Sequence, residues 1–370
     1  MRIPLTPHHL DLIGPIPRPN GGVAQHVWRL AMRMSGFGCR VLDLYPADMK
    51  YKLPGVTHQC SPRSWLLKPA WLYQKLRRAP TVVTHVHFST TNALSLGCSW
   101  LPRRRPGQMY VLTLHHGQLF ERHQQLNRLF RNVAAFSIRS FDRVIALSNR
   151  QHEFYADVIG VPADCLVRAS SHISLPREAV IPPVSLLPAK NVERLSFVAS
   201  GGIAPHYGHA DAIKLISDLR SRFDVQLTLC LYGPRDDREY LDRLRSLAAR
   251  TDGITFHFDL DLPDFLKILA TADIYLRPST VDSFGLAVAD AMALGVPAVA
   301  SDVCDRCHGT ALFPAGDYEA FKTTVEEVVD DLPRRRAIIA QTPQTDSLPA
   351  YLRAYQLTKQ ADVAVVGRAA

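Results

Sequence analysis

The sequence predicts an α/β protein of two doubly wound, Rossmann-like parallel-sheet domains that face a central cleft. Its 370 residues exceed one ordinary domain, because domains average about 150 residues. Short apolar runs alternate with amphipathic, helix-like segments in both halves, as in parallel sheets covered on both faces. Four prolines in residues 175–192 oppose regular structure and mark a linker. We therefore predict domains over 1–180 and 181–345, followed by a terminal segment over 346–370.

The apolar runs define the individual strands, and the amphipathic segments between them define the helices. Predicted strands cover 39–45, 81–88, 109–115, 142–147, 195–200, 225–231, 254–258, 273–277 and 298–301. Predicted helices cover 23–35, 126–138 and 150–159, and others begin near His209, Asp236, Leu262, Phe284 and Asp317. Ligands of such domains bind beyond the carboxyl ends of the strands, so the loops there are the candidates for chemistry.

Composition excludes several classes of protein. Hydrophobic residues make up 47% and charged residues 21% of the chain, which is typical of a folded globular protein and not of a disordered or collagenous one. Seven scattered cysteines do not suggest a disulfide framework. The N-terminus lacks a signal-peptide pattern, and no apolar stretch reaches the roughly 18–20 residues of a spanning helix. We therefore expect a cytoplasmic protein.

The charge is distributed unequally along the chain. Residues 1–185 hold 23 basic and 9 acidic side chains, a net charge of +14, whereas the rest carries a net charge of −5. A basic half of this kind is expected to face an anionic partner.

A glycine pair, Gly21 and Gly22, opens the first predicted helix. Two glycines there allow a ligand to approach the backbone, and a helix N-terminus favours an anion. A plain tight turn is the alternative. The spacing matches neither a dinucleotide fingerprint nor a P-loop.

Histidines end two neighbouring predicted strands. His115 and His116 follow one of them, and His85 and His87 end the other. A histidine at this edge could bind a sugar hydroxyl or steady developing charge. Four histidines also suggest a metal site, which we disfavour because no carboxylate or cysteine completes a recognisable ligand set.

The most informative segment is 278–297. Asp282 precedes a helix predicted from Phe284, and Asp290 lies inside that helix on a largely apolar stretch, where a carboxylate needs a partner. Ribose hydroxyls could serve as that partner. An N-cap role for Asp282 and a place on a helix face for Asp290 are the structural alternative.

This segment resembles the acidic-pair signature of retaining GT-B glycosyltransferases of family four (group 1). In that family two Glu residues separated by seven residues surround a Phe-Gly turn, and an Ala-Met-Ala-x-Gly-x-Pro-like segment follows. Residues 21–22 resemble its N-terminal glycine loop, residues 141–148 its Asp-x-Val-Ile-x-x-Ser strand, and residues 231–233 the loop against the donor nucleotide. Residues 349–358 resemble a terminal helix that crosses back to the first domain.

The resemblance implies transfer of a sugar from a nucleotide sugar with retained configuration, without a metal or other cofactor. The N-terminal domain would bind the acceptor and the C-terminal domain the nucleotide sugar. Asp282 would contact the donor sugar, Asp290 the ribose, and the backbone at Phe284 and Gly285 the diphosphate. The catalytic set is then Asp282, His115 and His116. The donor-binding set is Gly21, Gly22, Gly201, Gly202, Gly233, Phe284, Gly285 and Asp290, and we add Arg277 to it because of its position at a strand end.

Two departures from the family pattern stand out. Both acidic positions are Asp, which is shorter than Glu by one carbon–carbon bond. Gly202 and Tyr207 stand where an Arg and a Lys usually hold the diphosphate. Arg277, at the end of a predicted strand, is our candidate for the missing cation. The alternative is that Arg277 pairs with a nearby carboxylate.

The basic half also carries aromatic residues. Residues 63–78 mix Trp, Leu and Tyr with Lys and Arg, and residues 103–105 are three arginines. This mixture suits an anionic membrane surface, and the alternative is an amphipathic helix packed on its own domain. The sequence contains no nucleic-acid-binding motif. The Cys-x-x-Cys-His string at 304–308 is interpreted as a chance match.

Together these features predict a hexosyltransferase at the inner face of the cell membrane. It would transfer sugar from a UDP- or GDP-sugar to a polyprenyl-diphosphate-linked saccharide in surface polysaccharide synthesis. The alternatives are a non-catalytic GT-B partner protein and an epimerase-like GT-B enzyme with a soluble substrate.

Overall fold

The computed structural model describes residues 9–18, 20–47, 50–78, 81–89, 107–175, 194–233, 238–342 and 346–356. The chain divides into two compact units. The first unit comprises Met1–Pro176 together with Asp346–Ala370, and the second comprises Arg177–Thr345. Most of the predicted linker and the arginines at 103–105 lie outside the described residues.

The first unit contains a seven-stranded parallel sheet in the order β3-β2-β1-β4-β5-β6-β7. Its strands are β1 (Leu10–Ile13), β2 (Cys39–Asp43), β3 (Thr57–Cys60), β4 (Val83–Phe88), β5 (Met109–Leu114), β6 (Arg143–Ala146) and β7 (Leu166–Arg168). Its helices are α1 (Gly22–Arg33), α2 (Lys68–Arg78), α3 (Leu119–Gln125), α4 (Arg128–Arg139) and α5 (Asn149–Glu153), which continues as a π-type turn over Phe154–Ile159.

The second unit contains a six-stranded parallel sheet in the order β10-β9-β8-β11-β12-β13. Its strands are β8 (Leu195–Gly202), β9 (Val225–Tyr232), β10 (Ile254–Phe258), β11 (Ile274–Arg277), β12 (Ala298–Ser301) and β13 (Ala311–Phe313). Its helices are α6 (His209–Leu219), α7 (Arg238–Ala248), α8 (Leu262–Thr271), α9 (Leu286–Ala293), α10 (Tyr318–Asp330) and α11 (Leu332–Gln341). The prediction of two Rossmann-like parallel-sheet domains is confirmed.

A last helix, α12 (Leu348–Ala354), belongs to the first unit. Ser347 lies just before it and contacts Ser170, with the two hydroxyl oxygens 2.6 Å apart. Tyr355 follows it, and its hydroxyl lies 2.6 Å from His85 Nδ1. The first unit is therefore assembled from both ends of the chain.

Each sheet has a point where the strand order reverses direction. In the first sheet this point lies between β1 and β4, and in the second between β8 and β11. The loops beyond the strands at such a switch point form the usual binding crevice of a doubly wound sheet. The loop after β1 contains Gly21, and His87 lies next to the loop after β4. The loop after β8 leads to Tyr207, and the loop after β11 contains Asp282. The predicted site residues thus belong to the expected ends of the two sheets.

Among the helices of the described residues, none has both the length and the apolar character that a membrane-spanning helix requires.

Candidate functional site

Two arginines share one carboxylate at the switch point of the second sheet. Arg277 ends β11 and donates from Nε to Asp282 Oδ2 at 2.9 Å. Arg306, from the loop after β12, donates from Nη1 to the same oxygen at 2.9 Å. The Ser283 backbone N–H donates to the other oxygen, Oδ1. Both oxygens of Asp282 are therefore engaged within this unit.

The charge of this cluster is unbalanced. Burial alone would raise the pKa of Asp282, but the guanidiniums of Arg277 and Arg306 hold it well below its usual range, so the carboxylate is ionised. Arginine stays protonated in proteins, so two positive charges face one negative charge. These three buried side chains together carry a net charge of about +1, not counting the buried carboxylate of Asp290 on the helix that follows.

Arg306 is the residue that sequence reasoning missed. It lies in the Cys-x-x-Cys-His string at 304–308, and its side chain is 1% exposed. Besides Asp282, it donates to the carbonyl oxygens of Ser301 and Phe284. It thus ties the strand end of β12 to the turn before α9. No local pattern signals this contact, because it links residues 24 positions apart.

The first loop of the second unit explains one departure from the family pattern. The Tyr207 ring lies against the glycines of β8, so that a Cβ on Gly202 would stand 2.9 Å from Tyr207 Cε2 and one on Gly201 would collide with the same ring. The Arg277 guanidinium carbon lies 4.8 Å from the centre of that ring, which is cation–π distance. The Tyr207 ring therefore leaves no room for side chains at positions 201 and 202. The same ring packs against the guanidinium of Arg277, the last residue of β11.

The turn before α9 is shaped by Arg306. Gly285 precedes the helix with φ 77°, a conformation that favours glycine, and a Cβ there would collide with Arg306 Nη1. Helix α9 begins at Leu286, two residues after the predicted start. Asp290 is buried within it.

The loop after β9 is less open than the sequence suggests. Gly233 has φ 104°, and its N–H donates to Asp259 Oδ1 at 3.2 Å. Because the Gly233 N–H already donates within the unit, a nucleotide would have to contact other groups of this loop.

The remaining predicted site residues lie in the first unit. Gly21 caps α1 and Gly22 begins it, and a Cβ on Gly22 would meet open space. His115 follows β5 and is buried, and its ring stacks on His87 with centroids 5.4 Å apart. His116 is half-buried, and its Nδ1 accepts the Gln118 N–H at 2.9 Å.

The arrangement in the second unit is suited to an anion. It brings together Arg277, Asp282, Gly285 and the glycines of β8 around a surplus of positive charge, and it adds Arg306 and Tyr207. Fixed guanidiniums and a helix start can stabilise charge that develops on a leaving phosphate.

Comparisons with known proteins identify the family of this chain. Residues 188–345 match the family described as "Glycosyl transferases group 1", and residues 20–168 match "Glycosyltransferase Family 4". The two matches together cover most of the chain. The chain belongs to the group 1, family 4-type glycosyltransferases.

A curated relative and two solved structures are similar to this chain. D-inositol 3-phosphate glycosyltransferase of Arthrobacter sp. (strain FB24) is 35% identical over 96 residues, which span 25% of this chain and 22% of that protein. Anabaena Alr3699/HepE in complex with UDP-glucose shares 16% identity, with a TM-score of 0.69 over 95% of this chain and 99% of that one. Sucrose-phosphate synthase from Thermosynechococcus elongatus shares 16% identity, with a TM-score of 0.68 over 98% and 100%. These two structures share the GT-B fold with this chain.

Proposed function

We propose that the protein transfers a hexose-type sugar, with retained configuration, from a UDP- or GDP-sugar to a polyprenyl-diphosphate-linked saccharide in surface polysaccharide synthesis. The observation that carries this proposal is the pair of arginines on Asp282, which leaves a net positive charge at the switch point of the second sheet. A UDP-glucose complex of the similar Anabaena protein supports a nucleotide-sugar donor.

In this mechanism the protein supplies fixed charge and position. We propose that Arg277 faces the diphosphate, with its guanidinium held by Asp282, by the Ser200 carbonyl and by the Tyr207 ring. As the bond to the sugar breaks, negative charge grows on the leaving phosphate, and the guanidinium stabilises it without reorganising. The leaving phosphate is the proposed acceptor of the incoming hydroxyl's proton.

The other site residues have proposed roles as well. In the second unit, Asp290 binds the ribose hydroxyls and the backbone at Phe284 and Gly285 approaches the diphosphate; in the first unit, His115 and His116 bind sugar hydroxyls. Since Asp282 already binds two arginines, we propose that it mainly positions Arg277. No divalent cation is proposed for the transfer step.

Nucleotide binding tests the proposal. Because UDP or GDP would bind only the folded protein, ligand at about 100 times Kd should add about 2.7 kcal/mol of stability and raise Tm by several degrees. Uridine, which lacks the diphosphate, should give little shift. Arg277→Met should remove most of the UDP shift, whereas Arg245→Met, a change of an exposed arginine on α7, should keep it. Equal shifts with UDP and uridine, or none with any nucleotide, would contradict the assignment.

Turnover then separates the two alternatives. A non-catalytic partner protein would take up neither UDP nor GDP in calorimetry and would release no UDP from any donor and acceptor pair. An epimerase-like enzyme would convert the donor without an acceptor. The proposed transferase releases UDP in step with acceptor glycosylation.

The proposed lipid-linked acceptor is supported by an exposed apolar face on α4. Leu129, Phe130, Val133 and Phe136 all point to solvent, with Phe136 70% exposed. Arg128, Arg131 and Arg139 on the same helix are exposed as well. An apolar helix face beside cations is typical of a helix lying in the headgroup region of an anionic leaflet.

Residues 63–78, the basic and aromatic segment predicted to meet a membrane, contribute a second exposed apolar surface. Trp65, Leu66 and Leu67 are exposed, with Trp65 at 75%. Trp71 and Leu72 on α2 instead pack partly against the core of the first unit. The membrane interpretation therefore fits residues 65–67, and the packed-helix interpretation fits the inner face of α2.

Vesicle binding tests this surface. We expect the protein to cosediment with vesicles that contain phosphatidylglycerol at low salt and to be released at high salt, because screening weakens the contribution of the cations. Replacing both Phe130 and Phe136 by Ser should weaken binding by about tenfold or more, since a buried Phe contributes about 1.5–3 kcal/mol. Leu312→Ser, a change of an exposed apolar residue in the second unit, is the matched control. Equal binding by both variants would contradict the role of α4.

A further inference from the structure

Four histidines of the first unit gather where α1, β4 and β5 meet. His26 comes from α1, His85 and His87 from β4, and His115 follows β5. The ring centroids of His26 and His115 are 4.8 Å apart, those of His26 and His87 5.3 Å, and those of His87 and His115 5.4 Å. All four rings are buried. Three of them thus form a compact triangle of imidazoles.

Two nitrogens of this triangle have no hydrogen-bond partner. Among the described residues, neither His26 Nε2 nor His87 Nε2 is satisfied, although both are buried. A buried polar atom is costly to leave unpaired, and His26 Nε2, on the ring nearest to His115, is the open position that a ligand could occupy. His85 differs, because Tyr355 Oη and Thr113 Oγ1 contact its two nitrogens at 2.6 and 2.8 Å.

The tautomer of His26 follows from its surroundings. Its Nδ1 lies 2.9 Å from the carbonyl oxygen of Ser171, and a carbonyl can only accept, so the ring proton is on Nδ1. Its Nε2 therefore carries a free lone pair, and a backbone carbonyl orients the ring in the way that metal-binding histidines are commonly held.

From these contacts we propose that His26, His87 and His115 bind a divalent transition-metal ion of the zinc class. One ring nitrogen from each of the three lies within 4.8 Å of the others. Tetrahedral Zn²⁺ with bonds of 2.0–2.1 Å needs nitrogens roughly 3.4 Å apart, and His87 Nδ1 and His115 Nε2 lie 3.1 Å apart in a hydrogen bond, whose proton would move to the other nitrogen of its ring or to solvent when the ion binds. Side-chain shifts of about 1 Å would complete the set.

The donor set selects the kind of ion. Imidazoles suit Zn²⁺, Co²⁺, Ni²⁺ and Cu²⁺, whereas Mg²⁺ and Ca²⁺ prefer oxygen ligands. Three histidines are a sufficient set, with a water at the fourth position. The sequence argument against a metal relied on a missing carboxylate or cysteine, and it did not include His26, which is 61 residues from His87 in the chain. The inference does not rest on the proposed function, because it concerns binding alone.

A second group in the same unit provides a control. Asp43, His58 and Cys60 are also close enough to hold an ion. However, Lys50 Nζ lies 2.8 Å from Asp43 Oδ2 and neutralises the carboxylate. This group is therefore a poor competitor, and His58→Gln is a matched control for His26→Gln.

The test is a titration of tag-free, chelator-stripped full-length protein with Co²⁺, followed by visible absorption. We expect one Co²⁺ per chain, ligand-field bands of nitrogen coordination, displacement by Zn²⁺ and no competition from excess Mg²⁺. His26→Gln and His115→Gln should each weaken binding by at least about 100-fold, with His58→Gln unchanged. Far-UV circular dichroism checks that each variant is folded.

The wild-type spectrum keeps the test decisive even where a variant does not fold. Absence of saturable binding would overturn the proposal. So would thiolate-to-cobalt charge-transfer bands, which would indicate cysteine ligands. Binding that survives His26→Gln and His115→Gln, or that is lost in His58→Gln, would likewise assign the ion to another site.

Discussion

Arg306→Met is expected to impair both the stability and the activity of the protein. The variant removes a guanidinium that is 1% exposed and donates to Asp282, Ser301 and Phe284. It leaves the Phe284 carbonyl without this donor and Asp282 with one arginine. Arg277 stays as the counterion of Asp282, so the main loss is the donor to the Ser301 and Phe284 carbonyls, and an unsatisfied buried group costs about 1–3 kcal/mol. Urea unfolding monitored in the second unit should show a loss of that size.

The same variant should weaken the site for a diphosphate. The net charge of the arginine–aspartate cluster falls from about +1 to zero, and Arg277 loses the neighbour that fixes Asp282. Loss of one preorganised group of this kind costs about 10²–10³-fold in kcat. We expect weaker UDP binding by calorimetry and a fall in kcat, both measured at a temperature where the variant remains folded.

Two further variants separate charge from geometry. Arg306→Lys keeps the charge but lacks the planar fork, so it should restore only part of the activity. Arg222→Met removes an exposed arginine paired with Glu326 in the same unit and should cost less than about 1 kcal/mol. If Arg306→Met turned over substrate at the wild-type rate, the cluster would not be part of the site.

Asp11→Ala is expected to have the largest effect on the first unit. Asp11 lies on β1 and is fully buried, and it receives two hydrogen bonds from Arg40 on β2, at 2.7 and 2.6 Å. Thr81 Oγ1 donates to it at 3.0 Å. The substitution leaves a guanidinium that is 3% exposed without its counterion, which should lower the free energy of unfolding by about 3–5 kcal/mol.

A surface pair gives the matched control for Asp11. Glu121 and Arg150 form an ion pair whose side chains are largely exposed, so Glu121→Ala should cost less than about 1 kcal/mol. The double variant Asp11→Leu/Arg40→Met should recover much of the stability lost in Asp11→Ala, because it leaves no buried charge unpaired. Equal losses for Asp11→Ala and Glu121→Ala would show that the buried pair does not stabilise the fold.

The fold was largely predictable because buried parallel strands form continuous apolar runs. All nine predicted strands occur in the structure, with ends shifted by at most about two residues. Strand β1 escaped prediction because Asp11 and the surrounding prolines interrupt the apolar pattern. Arg40, which is 29 residues away, neutralises the charge of Asp11, and no local sequence pattern predicts a contact of that kind.

The candidate site was predictable only where its residues are close in sequence. The spacing of Asp282 and Asp290 and the strand end at Arg277 singled out one loop, and these residues share that loop and its helix in the structure. Arg306 reaches the loop through space from the end of another strand. His26 joins the histidine cluster from a helix on which it looks like an ordinary core residue. Neither contact follows from spacing along the chain.

The origin of the first unit from both chain ends has a consequence during synthesis on the ribosome. Helix α12 contacts residues such as Ser170 and His85, yet it is translated after the whole second unit. At about 5–20 residues per second, the segment between them takes roughly 10–30 s to emerge. The second unit can therefore fold while the first still lacks its final helix, so a bound chaperone would be most useful during that interval.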